Sequence, residues 1–177
     1  MNKKELGLFH IYTGDGKGKT TAALGLSMRA LGHEMRVYFG QFMKRGQTGE
    51  FKALSRFGER AKIEQFGNGR FLLPGKAIPS AEIRRAAHGL DCIRSAMQSG
   101  DFDLVVCDEI NTAVAAGLLS ESQVLDLVMS RPKGVELIFT GRNAPSSFVR
   151  EADLVSEIKE VKHYFRKGVK ARRGIEK

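Results

Sequence analysis

The sequence predicts a single α/β domain over residues 1–177, built on a mostly parallel central sheet with helices on both faces. Three observations carry that prediction. Short β-rich apolar runs alternate with longer segments of helical period, the pattern of βα units joined by crossovers. The first such run, Leu8-Phe9-His10-Ile11-Tyr12, feeds a glycine-rich turn, Thr13–Thr20, that opens straight into a helical pattern. A length of 177 residues with 42% apolar content suffices for one sizeable core and does not call for a second domain.

Taken in order, Leu8 to Thr13 reads as the first strand, and Lys19 to about Leu31 as the first helix, stopped by Gly32. Arg36 to Phe42 is β-rich and reads as the second strand. A polar loop with two cations, Lys44 and Arg45, leads to a short helix from Glu50 to Phe57, and Ala61 to Phe66 is the third strand. Gly67 to Lys76 is a glycine-rich loop carrying Phe71 and Leu72. It suits a substrate lid and suits equally a surface turn whose apolar residues tuck inward. Ser80 is placed to N-cap a long helix to about Ser99, with Ile83, Ala87, Leu90, Ile93 and Met97 at helical spacing. Asp103 to Glu109 reads as a buried strand ending in two carboxylates, and Ile110 to Leu118 as a helix. Ser120-Glu121-Ser122-Gln123 is a capping box opening another helix that ends at Arg131-Pro132. Val135 to Thr140, a short helix from Pro145 to Ala152, and a partly charged edge strand from Asp153 to Val161 complete the pattern.

Composition excludes some classes. No apolar run approaches the roughly 20 residues of a membrane span. The charged start, Met1-Asn2-Lys3-Lys4-Glu5, is unlike a signal peptide. Cys92 and Cys107 lack metal or redox spacing and read as buried thiols, so a cytoplasmic protein is expected. Net charge is +9, concentrated in a basic tail, 159–177, with eight Lys/Arg and two Glu. Such a tail can help hold a polyanion such as a nucleotide, or simply be solvated. Nucleic acid is disfavoured because no aromatic stacking pattern accompanies the charge.

The chemistry centres on Thr13-Gly14-Asp15-Gly16-Lys17-Gly18-Lys19-Thr20. Strand, glycine turn, Lys-Thr and helix are what a phosphate-binding loop requires. Glycine backbones approach phosphate closely, and the helix adds its positive end. Lys19 reaches terminal phosphates and the Thr20 hydroxyl suits Mg²⁺. The spacing departs from G-x-x-x-x-G-K-[ST] because Thr13 stands where the first glycine is expected. Asp15 is repelled by phosphate unless it faces ribose, metal or Lys17. Asp108 and Glu109, after four apolar residues, match a metal-directed acid pair beside the loop. Glu109 could activate water, giving an ATPase, or hold metal with no base role. Arg142, after the Val135–Thr140 strand, points to the ligand side of an open sheet or makes a surface ion pair.

With these residues assembled, the chain resembles the corrinoid adenosyltransferases of the cobalamin pathway, which have a P-loop (RecA-like) NTPase fold. The resemblance rests on Tyr12 to Ala23, Arg29-Ala30-Leu31-Gly32-His33, Val105 to Glu109, Thr140-Gly141-Arg142, and the tail from Asp153 through Val161-Lys162-His163 to Gly168-Val169-Lys170-Ala171-Arg172-Arg173-Gly174-Ile175. It implies an enzyme that transfers the 5′-deoxyadenosyl group of ATP to Co(I) of a reduced corrinoid and releases triphosphate. It implies that ATP lies in the loop in the reverse sense to ordinary P-loop enzymes. It implies ATP contacts at Gly14, Asp15, Gly16, Lys17, Gly18, Lys19, Thr20, Thr21 and Arg29, and leaving-group electrostatics from Lys17, Lys19 and Mg²⁺. Thr20 and Glu109 would hold the metal, with Asp108 in or behind its shell. In the loop after the third strand, Phe71 is the implied apolar face against cobalt, while the tryptophan of some members is absent. The four histidines, His10, His33, His88 and His163, read as structural. The family also implies a homodimer and an electron donor such as a reduced flavoprotein. The competing readings are a RecA-like Mg-ATPase with a nucleic-acid-binding tail, and a nucleotide-binding regulatory module without turnover.

Overall fold

The computed structural model describes residues 6–69 and 77–176. Six strands form one sheet in the order β3-β2-β4-β5-β1-β6, and every pairing in it is parallel. The strands are β1 (Phe9–Thr13), β2 (Val37–Phe42), β3 (Ala61–Phe66), β4 (Leu104–Asp108), β5 (Glu136–Thr140) and β6 (Leu154–Glu157). The helices are α1 (Lys19–Gly32), α2 (Gly49–Leu54), α3 (Ser80–Gln98), α4 (Ile110–Ala115), α5 (Glu121–Met129) and α6 (Ser146–Glu151). The expected α/β architecture is therefore present.

Strand alternation explains why both faces are covered. Phe9, Ile11, Tyr38, Phe42, Val105, Cys107, Leu137 and Phe139 join one buried cluster, with Leu90, Ile93 and Met97 of α3 and Val124 and Leu127 of α5. Their strand neighbours Val37, Phe39, Leu104, Val106 and Ile138 join a second cluster, with Ala23, Ala30 and Leu31 of α1. Odd and even side chains of the central strands both find apolar partners. That is why these strands read as continuous apolar runs rather than alternating ones. Burying a Leu, Ile or Phe side chain in this way is worth about 1.5–3 kcal/mol each.

Several ends differ from expectation. Pro79, not Ser80, occupies the N-cap of α3: the Pro79 carbonyl accepts the Glu82 N–H at 2.9 Å, while the Ser80 hydroxyl turns outward to Arg84. α4 stops at Ala115, three residues early, just ahead of Gly117 in the left-handed region at φ 76°. The segment after α2 is not α-helical to Phe57. It tightens into 3₁₀ turns over Ser55–Arg60, interrupted at Gly58. β6 is shorter than the expected 153–161 because its ladder with β1 ends at Ile158, whose carbonyl turns aside. The capping box at Ser120 forms as expected, with Gln123 returning its side chain to the Ser120 N–H.

Parallel strands place all their C-terminal ends on one edge. Thr13, Phe42, Phe66, Asp108, Thr140 and Glu157 end their strands there. At the opposite edge, Glu136 ties down the entry of β1, accepting the Gly7 and Leu8 N–H groups at 2.9 Å each and facing His10 Nε2 at 2.8 Å. Burial works against the charged form of Glu136, yet His10 and the two N–H groups prevail and hold its carboxyl below the usual range.

Candidate functional site

The loop between β1 and α1 lies on that C-terminal edge. Lys19 is buried, and its ammonium is seated on the Gly14 and Gly16 carbonyls at 2.6 and 2.7 Å. Burial, opposed by Glu109, keeps it below its ordinary basicity. The start of α1 adds helix-terminal N–H groups and the dipole's positive end.

Gly14 and Gly16 have a packing use that the sequence does not suggest. A Cβ on Gly14 would lie 2.5 Å from the Ile158 carbonyl oxygen, and one on Gly16 would lie 2.8 Å from it. The Gly16 N–H is donated to that same carbonyl at 2.7 Å. Two glycines thus admit the chain leaving β6, and one expected phosphate donor is engaged by the protein itself. Gly18, at φ 129° with only Ile158 Cδ1 within 4.0 Å of a Cβ, keeps the open approach a phosphate needs. Lys17 is exposed and its ammonium meets the Ile175 carbonyl at 3.4 Å, so the basic tail returns to the loop. The tail is knotted by Glu176, which accepts from Tyr164 and from the Arg172 backbone and guanidinium. These contacts hold the Glu176 carboxyl at about 2.

Asp108 ends β4 fully buried and gathers four donors. Its Oδ1 accepts the Thr20 hydroxyl at 2.8 Å and the Thr140 hydroxyl at 2.7 Å. Its Oδ2 accepts the Lys44 ammonium at 2.8 Å and the Gln41 amide at 3.1 Å. Burial alone would lower Lys44; Asp108, with Glu50 and Glu109 beyond it, more than reverses that and raises it. Asp108 is therefore saturated and stands behind Thr20. Because the Thr20 hydroxyl donates to Asp108, its oxygen lone pairs are left to face a cation.

Glu109 follows in a left-handed conformation, φ 64° and ψ 17°, costly for a glutamate and held by its N–H bond to the Thr140 hydroxyl at 2.9 Å. One carboxylate oxygen accepts the Thr112 hydroxyl at 2.6 Å, and Thr112 in turn accepts the Arg142 N–H. The arrangement offers a hydroxyl and a carboxylate, the hard oxygen donors Mg²⁺ takes. The donor set fits the metal expected from the sequence.

Among the described residues Asp15 makes its ion pair with Arg142, while it acts on Lys19 only at longer range. Its carboxylate lies 3.8 Å from Arg142 Nε, and its carbonyl accepts from Arg142 Nη2 at 3.3 Å. Arg142 thus makes an exposed ion pair at the edge where the strands end. Thr21 is exposed on the first turn of α1. Arg29 acts electrostatically on Tyr12, the residue that leads into the loop. It sits exposed on the last turn of α1, nine residues past Thr20 and so roughly 13 Å along the axis. Phe71 lies outside the described residues.

Sequence reasoning missed Gln41, Lys44, Thr140 and Ile158 as site residues. The signal for Gln41 was present: a lone amide in an apolar strand, paired in register with Asp108. Next to these residues, at the ends of β2 and β3, opens a cleft of about 630 Å³. Among the described residues, no helix is long and apolar enough to cross a membrane.

Comparison with known proteins gives one family. Residues 5–176 match the family described as ATP:corrinoid adenosyltransferase BtuR/CobO/CobP. The chain is similar to the corrinoid adenosyltransferase of Pseudomonas aeruginosa, 35% identical over 175 residues that cover 98% of this chain and 85% of that protein. It is 34% identical to the corrinoid adenosyltransferase CobA of Salmonella typhimurium, covering 98% and 87%. It is 33% identical to that of Escherichia coli, covering 97% and 86%.

Proposed function

The chain belongs to the ATP:corrinoid adenosyltransferase family, and on that premise we propose that it transfers the 5′-deoxyadenosyl group of ATP to the cobalt of a reduced corrinoid. The observation that carries the reading is the family match running unbroken from the phosphate loop to the tail segment that closes on that loop.

In the reaction, Co(I) supplies an electron pair to C5′ of ATP. The Co–C bond forms, the C5′–O bond breaks, and its pair leaves on triphosphate, so cobalt ends as Co(III). A metal nucleophile carries no proton, so no general base is needed, and Glu109 is free to serve the metal. The chain's own work is electrostatic. Lys19, Lys17, the Gly18 N–H and the start of α1 face the triphosphate and stabilise the charge it gains. Lys19 exchanges the Gly14 and Gly16 carbonyls for phosphate oxygens as the nucleotide enters. Thr20 and Glu109 would hold Mg²⁺, with Asp108 orienting Thr20; the ion neutralises leaving-group charge when bound. Arg142 holds the Asp15 carboxylate off the phosphates. Phe71 is retained as the apolar residue against cobalt on the strength of the sequence resemblance alone. A homodimer and a reductant of the flavoprotein class belong to the same proposal.

The test is product analysis. The protein is incubated without air with Mg-ATP and chemically reduced corrinoid. Triphosphate and a light-sensitive Co–C product are expected. ADP and phosphate stimulated by DNA or RNA would overturn the reading, and ATP binding without product would leave a regulatory module instead.

A further inference from the structure

We propose that Arg45 and Arg85 make the cleft beside the metal-directed acid a selector for corrinoids that carry an anionic group on their periphery; this rests on the adenosyltransferase reading. The cleft of about 630 Å³ lies on the same sheet edge as the phosphate loop. Its apolar surface comes from Phe51 and Phe66, suited to the flat face of a macrocycle. Around that surface stand Arg45, Arg85 and His88 with the amide of Gln65, and none of the described lining residues is acidic. Arg85 is paired with Glu82 one helical turn back, outside the lining. Arg45 lies next to Lys44 in the chain, yet the two divide the work: Lys44 turns to Asp108, and Arg45 to the cleft.

The cleft is also wired to the nucleotide site. Gln65 accepts the Gly46 N–H at 2.9 Å and donates to Gln41 at 3.0 Å, and Gln41 donates to Asp108 at 3.1 Å. Asp108 in turn holds Thr20. A ligand gripped in the cleft is therefore positioned by the same residues that fix the metal-facing hydroxyl. A guanidinium pair offers forked N–H donors matched to carboxylate or phosphodiester oxygens, and offers amide side chains much less.

Those two anions come from different parts of a corrinoid, and the experiment separates them. Wild type, Arg45→Gln, Arg85→Gln and the double variant are assayed with Mg-ATP and three pre-reduced corrinoids. One carries free ring carboxylates, one a phosphodiester-linked nucleotide, and one is fully amidated without the nucleotide. The expected wild-type result is a KM about fivefold to tenfold lower for an anionic corrinoid than for the amidated one, the size that one or two half-exposed charge contacts supply. Preference for the first corrinoid assigns the carboxylate, and for the second the phosphodiester. The double variant should erase the preference while its KM for the amidated corrinoid moves less than about twofold, and raised salt should shrink the wild-type preference. Equal KM values in wild type, or equal loss on all three corrinoids in variants that retain the native circular dichroism, overturn the proposal. Absence of any Co–C product in wild type would instead sink the adenosyltransferase reading itself.

Discussion

Replacing Asp108 by Asn tests whether this carboxylate is the hub of the site. The side chain is fully buried, with two hydroxyls on Oδ1 and an ammonium and an amide on Oδ2. An amide of the same shape keeps one oxygen. Whichever way it turns, two of the four donors face an NH₂ group, and Lys44 loses its nearest counter-charge. Removing one partner from a buried ion pair costs about 3–5 kcal/mol. Lys44 keeps 28% of its side chain exposed and has Glu50 at 3.8 Å, so the lower end, about 3 kcal/mol, applies. For a chain of this length that is a fall of about 6–12 °C in Tm. The assay is thermal and urea unfolding of wild type, Asp108→Asn, Lys44→Met and the double variant. The double should lose less than Asp108→Asn alone, because no ammonium is stranded. Lys44 is raised in the folded state, so its contribution is fully present below its ordinary value of 10.5 and is lost only as pH climbs past the folded one. The differences should therefore hold from about pH 6 to 9. A loss under about 1 kcal/mol for Asp108→Asn, or a double variant equal to the sum of the singles, would refute the account.

Four further outcomes are expected. Lys19→Ala should lower kcat by about 100-fold or more with the fold intact, through lost stabilisation of the leaving triphosphate; a change confined to KM would point to ground-state binding instead. Gly16→Ala should push the chain away from Ile158 and Lys159, costing about 1–3 kcal/mol in urea unfolding and exposing the bond after Lys159 to trypsin. Glu136→Gln should flatten the acid limb of stability. The folded carboxyl is depressed, so its contribution is present above its ordinary value of 4.5 and fades as pH falls; urea midpoints from about pH 3 to 7 check this. Asn111 is fully buried and its amide has no hydrogen-bond partner among the described residues, so Asn111→Leu should raise the urea midpoint, by about 1 kcal/mol; a loss would reveal a bound partner.

The fold was legible because its signals are local. A strand buried on both faces needs apolar residues at odd and even positions, and Val105-Val106-Cys107 and Leu137-Ile138-Phe139 show it. The Ser120 capping box names its own helix start from four residues, Ser120 to Gln123. Ends depended on contacts with other elements. β6 stops at Glu157 because the next carbonyl is drawn to a loop over 140 residues earlier. α3 starts one residue before the serine, at Pro79, whose backbone is extended (φ −60°, ψ 132°) and which makes no side-chain cap, whereas sequence preference alone favours the serine.

The site divides along the same line. Lys19, Thr20 and Asp108 were legible because strand, turn and helix carry them to one edge in any parallel sheet of this kind. Gln41, Lys44, Thr140 and Ile158 were not, because each acts through a neighbour fixed only by strand order. Gln41 looks like a polar interruption of β2 until β2 is seen beside β4, where it stands level with Asp108. The glycines carry the same lesson with the opposite sign. Gly14 and Gly16 fit a phosphate cradle by spacing, yet the atoms that forbid a Cβ there belong to Ile158 and Lys159. The shifted first glycine follows: it sits at the residue where the tail crosses, and Thr13 is free to keep a side chain that accepts the Ala144 N–H at 3.3 Å. The loop between β1 and α1 is therefore shaped from two sides. Gly14 and Gly16 answer to the chain's own C-terminal segment, and in the proposed reaction Gly18 and Lys19 answer to the nucleotide.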